Sequence, residues 1–270
     1  MGGGAVFSHN QASGSYGGAI SIEKSGTLAI HGDVCFHDNW GLELAGAVHV
    51  DSESVANISG KVVFDSNTAK WGGALYASGS TILLSGAVSL SNNSGQIAGG
   101  CIVAVSGSII SVSDEVTVTY SSAPVGGAFY LDSSVMTVSG RVWLAENRAG
   151  TGGMAFLLNS ASSIIDKARI ENNQADSEGG GVFVSGSSLD VGCMVVFVGN
   201  KAGGYGGAIA ARASASVRVS GNVTLLENTA HSFGGAIDTD TSVTLWLDGG
   251  SSVILNNAEN GGGISLRSNR

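Results

Sequence analysis

Asp238 and Asp240 sit two residues apart, with His231 just upstream and Arg212 further back, the densest set of acid–base groups in the chain. Carboxylates so placed could do general acid–base work, or hold a calcium ion beside a basic residue acting on an acidic glycan. A second pair, Asp51 and Asp132, falls at equivalent positions of a repeat. Three cysteines, Cys35, Cys101 and Cys193, form no CxxC pattern, and their odd count completes no disulfide framework. They read as small packing residues rather than metal ligands.

Such groups are rare in this chain. Of 270 residues only 12% are charged, while 43 are Gly and one is Pro. An average protein carries about 7% Gly and about 25% charged residues. Gly does not recur at every third position, which excludes collagen, and the 43% apolar content argues against disorder. A net charge of −9 argues against a nucleic-acid partner, which needs clustered Lys and Arg. No run approaches the 18 or so apolar residues of a membrane span. The N-terminus shows neither the basic nor the apolar region of a signal peptide.

The elements that would position these residues follow from an internal repeat. A Gly pair, a small residue and an apolar one recur as Gly17-Gly18-Ala19-Ile20, Gly72-Gly73-Ala74-Leu75, Gly126-Gly127-Ala128-Phe129 and Gly206-Gly207-Ala208-Ile209. The nine intervals between Gly17 and Gly261 average about 27 residues. Each period holds three short runs that alternate apolar and variable residues. One follows the glycines (Val182-Phe183-Val184), one lies mid-repeat (Val217-Arg218-Val219), and one precedes an asparagine (Val62-Val63-Phe64). Alternation with period two means strands with one buried face. Recurring Ser-Gly pairs such as Ser59-Gly60 and Ser85-Gly86 mark a turn between the second and third runs.

Three strands and three turns per period describe one coil of a right-handed parallel β-helix, about ten coils in all, forming a single domain over residues 1–270. A leucine-rich repeat shares the period but needs a helix or arc where two further alternating runs stand here. On a helix of this kind Asp51 and Asp132 are three coils apart, roughly 14 Å. That is too far for one active site, and the chain reads as having no catalytic, cofactor-binding or metal residues. Both ends read as cuts within a longer array, because only a short stretch separates Gly3 from Gly17 and Arg270 follows a strand directly. Uncapped ends expose sheet edges, so end-to-end self-association is expected.

Two columns of side chains stand out. Asn39, Asn67, Asn93, Asn147, Asn173, Asn200 and Asn228 each follow an inward side chain by three positions. Stacked amides there can hydrogen-bond from coil to coil. Tyr76, Val103, Tyr130, Phe156 and Phe183 fall between the two apolar positions of the first strand and should point outward. The four aromatics, Tyr76, Tyr130, Phe156 and Phe183, form a candidate binding stripe. Tyr16, Trp71, Tyr205 and Phe233, each just before a Gly pair, should pack over the glycines.

The pairing of GGA[I/L/V] with FxxN resembles the polymorphic outer membrane protein repeat of chlamydial autotransporters. The second motif stands here as Phe7-Ser8-His9-Asn10, Phe36-His37-Asp38-Asn39, Phe64-Asp65-Ser66-Asn67 and Phe197-Val198-Gly199-Asn200. Two coils depart from it: that of Val118 carries Ser121 in place of Asn, and the last has Ala258 after Leu255. The resemblance implies a pectin-lyase-like β-helix at the cell surface or outside the cell. It would be a non-catalytic adhesive scaffold whose partner is a host or cell-surface protein or glycan. A polysaccharide lyase or hydrolase is the alternative.

Overall fold

The computed structural model describes residues 4–14, 16–164 and 166–267. Gly3 and Arg270, on which the reading of the ends as cuts rests, lie outside the described residues. Among those residues every element is a strand, and every strand pairing is parallel. The chain winds into a parallel β-helix with three sheets.

The runs after the Gly pairs stack as a ten-stranded sheet in sequence order, from Ile20–Ile22 to Ile264–Leu266. Its register is repeat on repeat: Leu75 pairs with Val48 on one side and Ile102 on the other. The second and third runs of each coil do not form separate sheets. They share one sheet of seventeen strands, because Val55–Asp65 and Thr81–Ser91 continue unbroken through the corner, Gly86 pairing with Gly60. Gly60 and Gly86 have positive φ, 90° and 80°, so the chain turns there without losing its ladder.

The third sheet comes from the segment between the asparagine and the next Gly pair. Its nine strands are short, as in Trp40–Gly41, Thr68–Trp71 and Lys201–Ala202. Segments of two to five residues with mixed polarity carry no period-two signal, so pattern reading passes over them.

Inward positions of all coils fuse into one apolar core. Phe7, Phe36 and Phe64 stack face to face at 4.7 and 4.8 Å, matching the rise from one coil to the next. Leu75, Ala77, Ile82, Leu84, Val88 and Leu90 line one coil, all at most 1% exposed.

Two glycine positions close each coil. From Gly72 onward the first of each pair adopts the left-handed conformation, with φ of 68° at Gly72 and 60° at Gly99. In every coil before the last, the second is barred from having a side chain by the next coil's backbone. A Cβ on Gly73 would lie 2.1 Å from the Gly100 carbonyl oxygen, and one on Gly100 would lie 2.0 Å from that of Gly127.

Candidate functional site

The asparagine column fixes the turn that packs against these glycines. Except at Asn93, whose next coil carries Ser121, the Asn amide nitrogens donate to the amide oxygen one coil on: Asn39 to Asn67 at 2.9 Å, Asn67 to Asn93 at 3.0 Å, Asn147 to Asn173 at 3.0 Å, and Asn200 to Asn228 at 2.9 Å. The same nitrogen donates back to the carbonyl of an inward residue on the preceding coil, as Asn67 does to Phe36 at 3.0 Å. Asn173 joins the row through Asn200 at 3.0 Å. All seven are at most 1% exposed. Buried amides are tolerable because donors and acceptors are both used.

One register differs from the sequence reading. In the last coil the inward residue is Val253, which pairs with Leu225, so the motif ends at Asn256 rather than Ala258. Asn256 accepts from Asn228 at 3.0 Å and continues the ladder. Counting from Leu255 failed because Leu255 is 73% exposed and sits in the left-handed position, φ 54°.

The candidate stripe lies on the outer face of the ten-stranded sheet. Register aligns Ser21, His49, Tyr76, Val103, Tyr130, Phe156, Phe183, Ala210 and Asp238 in one column. The rings stack along the axis: His49 with Tyr76 at 5.6 Å, Tyr130 with Phe156 at 5.6 Å, and Phe156 with Phe183 at 4.9 Å. Tyr76, Tyr130, Phe156 and Phe183 are half-buried rather than exposed, because His49 covers Tyr76 and the other three rings stack in turn. Burial, reinforced by Asp51 beside Tyr76 and Asp132 beside Tyr130, raises both phenol pKa values.

Val103 is fully buried, contrary to its expected outward exposure. Trp71 meets Tyr130 two coils on, ring centroids 5.9 Å apart and edge to face, and Val103 occupies the coil between them. The other aromatics that precede Gly pairs also contact rings. Tyr16 packs on His49 at 4.8 Å, and Tyr205 stacks on Phe233 at 5.8 Å. Leu44, Trp71, Tyr76, Val105, Tyr130 and Asp132 enclose a shallow recess of about 170 Å³. It has aromatic walls and one carboxylate.

At the far end the stripe turns ionic. Asp238 is fully buried and takes a two-point contact from Arg267, Nε to Oδ1 at 3.0 Å and Nη2 to Oδ2 at 2.7 Å. Arg212 Nη2 lies 2.7 Å from the same carboxylate and 2.9 Å from Glu178. The Arg267 guanidinium stands 4.4 Å over the Tyr205 ring. Burial raises the Glu178 pKa, and the attraction of Arg212 and Arg267 offsets only part of that. The two cations and two carboxylates balance in charge, with Asp238 buried at the centre and Arg267 partly exposed.

Of the residues considered for catalysis, Arg212 and Asp238 meet while the others stay apart. Asp238 is locked in this cluster. Asp240 instead accepts from the Ala213 and Ser242 amides, both at 3.2 Å, and caps its own turn. His231 is exposed and lies 4.0 Å from Glu259. Ser78 and Val105 separate Asp51 from Asp132 in their column, about 14 Å apart, whereas paired glycosidase carboxylates lie within about 9.5 Å. All three cysteines are free: Cys35 half-buried, Cys101 buried and Cys193 exposed.

The fold and ladder define a parallel β-helix built from a GGA and FxxN repeat. Residues 61–78 and 194–212 match the family model of the Chlamydia polymorphic membrane protein repeat. Both stretches run from the FxxN strand through the Gly pair into the ten-stranded sheet, so the matched unit includes the strand that carries the stripe. No curated protein and no solved structure matches the chain. Among the described residues, no helix is long and apolar enough to cross a membrane.

Proposed function

We propose that the protein is a non-catalytic β-helix scaffold, displayed at a cell surface or secreted, that engages a host or cell-surface protein or glycan. The contact face is the outer side of the ten-stranded sheet. One observation carries this reading: an outer column of stacked rings, interrupted at Val103, with a recess there walled by Trp71, Tyr76 and Tyr130. Flat, rigid, half-buried aromatics beside a small pocket have the makeup of interface hot spots, because they bury area with little loss of side-chain freedom. The repeat type supports placement at a surface.

Surface plasmon resonance against host surface receptors and a glycan panel tests the proposal. Tyr76→Ser and Tyr130→Ser should each weaken a measured interaction by at least about tenfold. Unchanged binding by both variants would sink it. A lyase assay on polygalacturonate, with and without calcium, should show no turnover, and turnover would favour the enzymatic alternative.

A further inference from the structure

The turn that carries the asparagine ladder also brings together three metal-capable side chains from two coils. His9 lies in the Phe7–Asn10 turn. His37 and Asp38 lie in the Phe36–Asn39 turn stacked on it. One donor atom from each of the three lies within 4.8 Å of the others. His37 Nδ1 is 3.0 Å from Asp38 Oδ2, His9 Nε2 is 3.8 Å from the same oxygen, and the two imidazoles meet edge to face at 5.4 Å.

We propose that His9, His37 and Asp38 form a binding site for a transition-metal dication of the zinc, nickel and copper class. The donor set points to that class: two imidazole nitrogens and one carboxylate suit borderline cations, whereas calcium and magnesium take oxygen donors. The backbone is fixed beforehand. His9 and Asp38 occupy the same left-handed position, φ 54° and 55°, and the His9 amide donates to the His37 carbonyl at 3.2 Å. Directly beneath, Asn10 donates to Asn39 at 2.8 Å and Asn39 to Asn67 at 2.9 Å, which holds both turns in register.

The side chains keep the freedom that ligation needs. The His9 ring is 72% exposed and can swing inward to bring its nitrogen to the roughly 2.0–2.1 Å of a zinc–imidazole bond. Three protein ligands leave at least one position for water or for a group from another molecule. Asp65, which follows His37 in its column, adds negative charge without competing as a ligand. Its Oδ1 already accepts from Ser91 at 2.6 Å and Asn92 at 2.8 Å.

Isothermal titration of the full chain, free of any histidine tag, with zinc chloride tests the assignment. A single site of micromolar affinity is expected, with no heat from calcium or magnesium. His9→Ala and His37→Ala should each weaken zinc binding at least tenfold, while His231→Ala, at an exposed histidine elsewhere, should leave it unchanged. Absence of a one-to-one zinc site, calcium binding of equal strength, or full affinity in the His9 and His37 variants would overturn it. Zinc should also shift the ring-proton NMR signals of His9 and His37 in the wild-type chain, and unmoved signals would count against the site without relying on any variant.

Discussion

Cys101 Sγ donates to Ser121 Oγ at 3.0 Å across the inside of one coil, and both residues are fully buried. These are the places where the repeat otherwise puts a small residue after the glycines and an asparagine in the ladder. Ser121 is shorter than asparagine, so Asn93 finds no amide oxygen in the next coil. Its backbone amide donates to Ser121 Oγ at 3.3 Å, and its side chain faces the Cys101 sulfur at 3.8 Å. The larger cysteine fills the space that the shorter serine leaves.

The two positions should therefore be coupled. Ser121→Asn alone forces an amide against Cys101 and should cost about 1–3 kcal/mol. Cys101→Ala alone leaves a small cavity and should cost about 1 kcal/mol. The double variant restores the regular ladder and should be about 1 kcal/mol or more better than the sum of the singles. Urea unfolding of the four proteins measures this coupling, and additivity would contradict it. Burial also pushes the Cys101 thiol pKa up to about 12, so a native thiol titration should leave this cysteine unmodified.

The same substitution should have opposite consequences at two glycines. Gly100→Ala drives a methyl group into the Gly127 carbonyl and should cost about 3 kcal/mol or more. Gly249→Ala meets nothing within 4 Å and needs no left-handed backbone, so it should fall within about 0.5 kcal/mol of wild type. Thermal melts of the pair would separate packing from chain entropy.

Two ion pairs should likewise differ by their burial. Asp238→Asn removes the carboxylate that touches both Arg212 and Arg267, and should cost about 3–5 kcal/mol. Asp176→Asn breaks a pair with Arg148 whose side chains are 59% and 62% exposed, and should cost less than about 1 kcal/mol. Denaturant midpoints report both.

Asp65 should give the protein an acid-sensitive contribution. Burial works to raise its pKa, but hydrogen bonds from Ser91, Asn92 and Ser66, with attraction from His37, outweigh it and leave the pKa below its ordinary value of 3.8. A depressed carboxyl stabilises the fold above the unfolded value, and that contribution is lost as pH falls through the folded one. The stability gap between wild type and Asp65→Asn should be constant near neutrality and close below pH 3.8. Denaturation across an acid series tests the direction.

The sequence alone determined the coil: its period, its inward residues and the corners that need glycine. These are local properties, because alternation and Gly pairs act on neighbours in the chain. The position of the asparagine column could be counted directly, since every copy keeps one spacing from the inward side chain. Only the tertiary structure decided what meets along the axis. It formed a third sheet from segments too short to show a pattern, moved the last ladder position to Asn256, and buried Val103 in the coil between Trp71 and Tyr130. It also placed His9 beside His37 and gathered Arg212 and Arg267 around Asp238. Axial neighbours are about 27 residues apart in sequence, and their contacts depend on how far each side chain leans over the next coil, which no single period records.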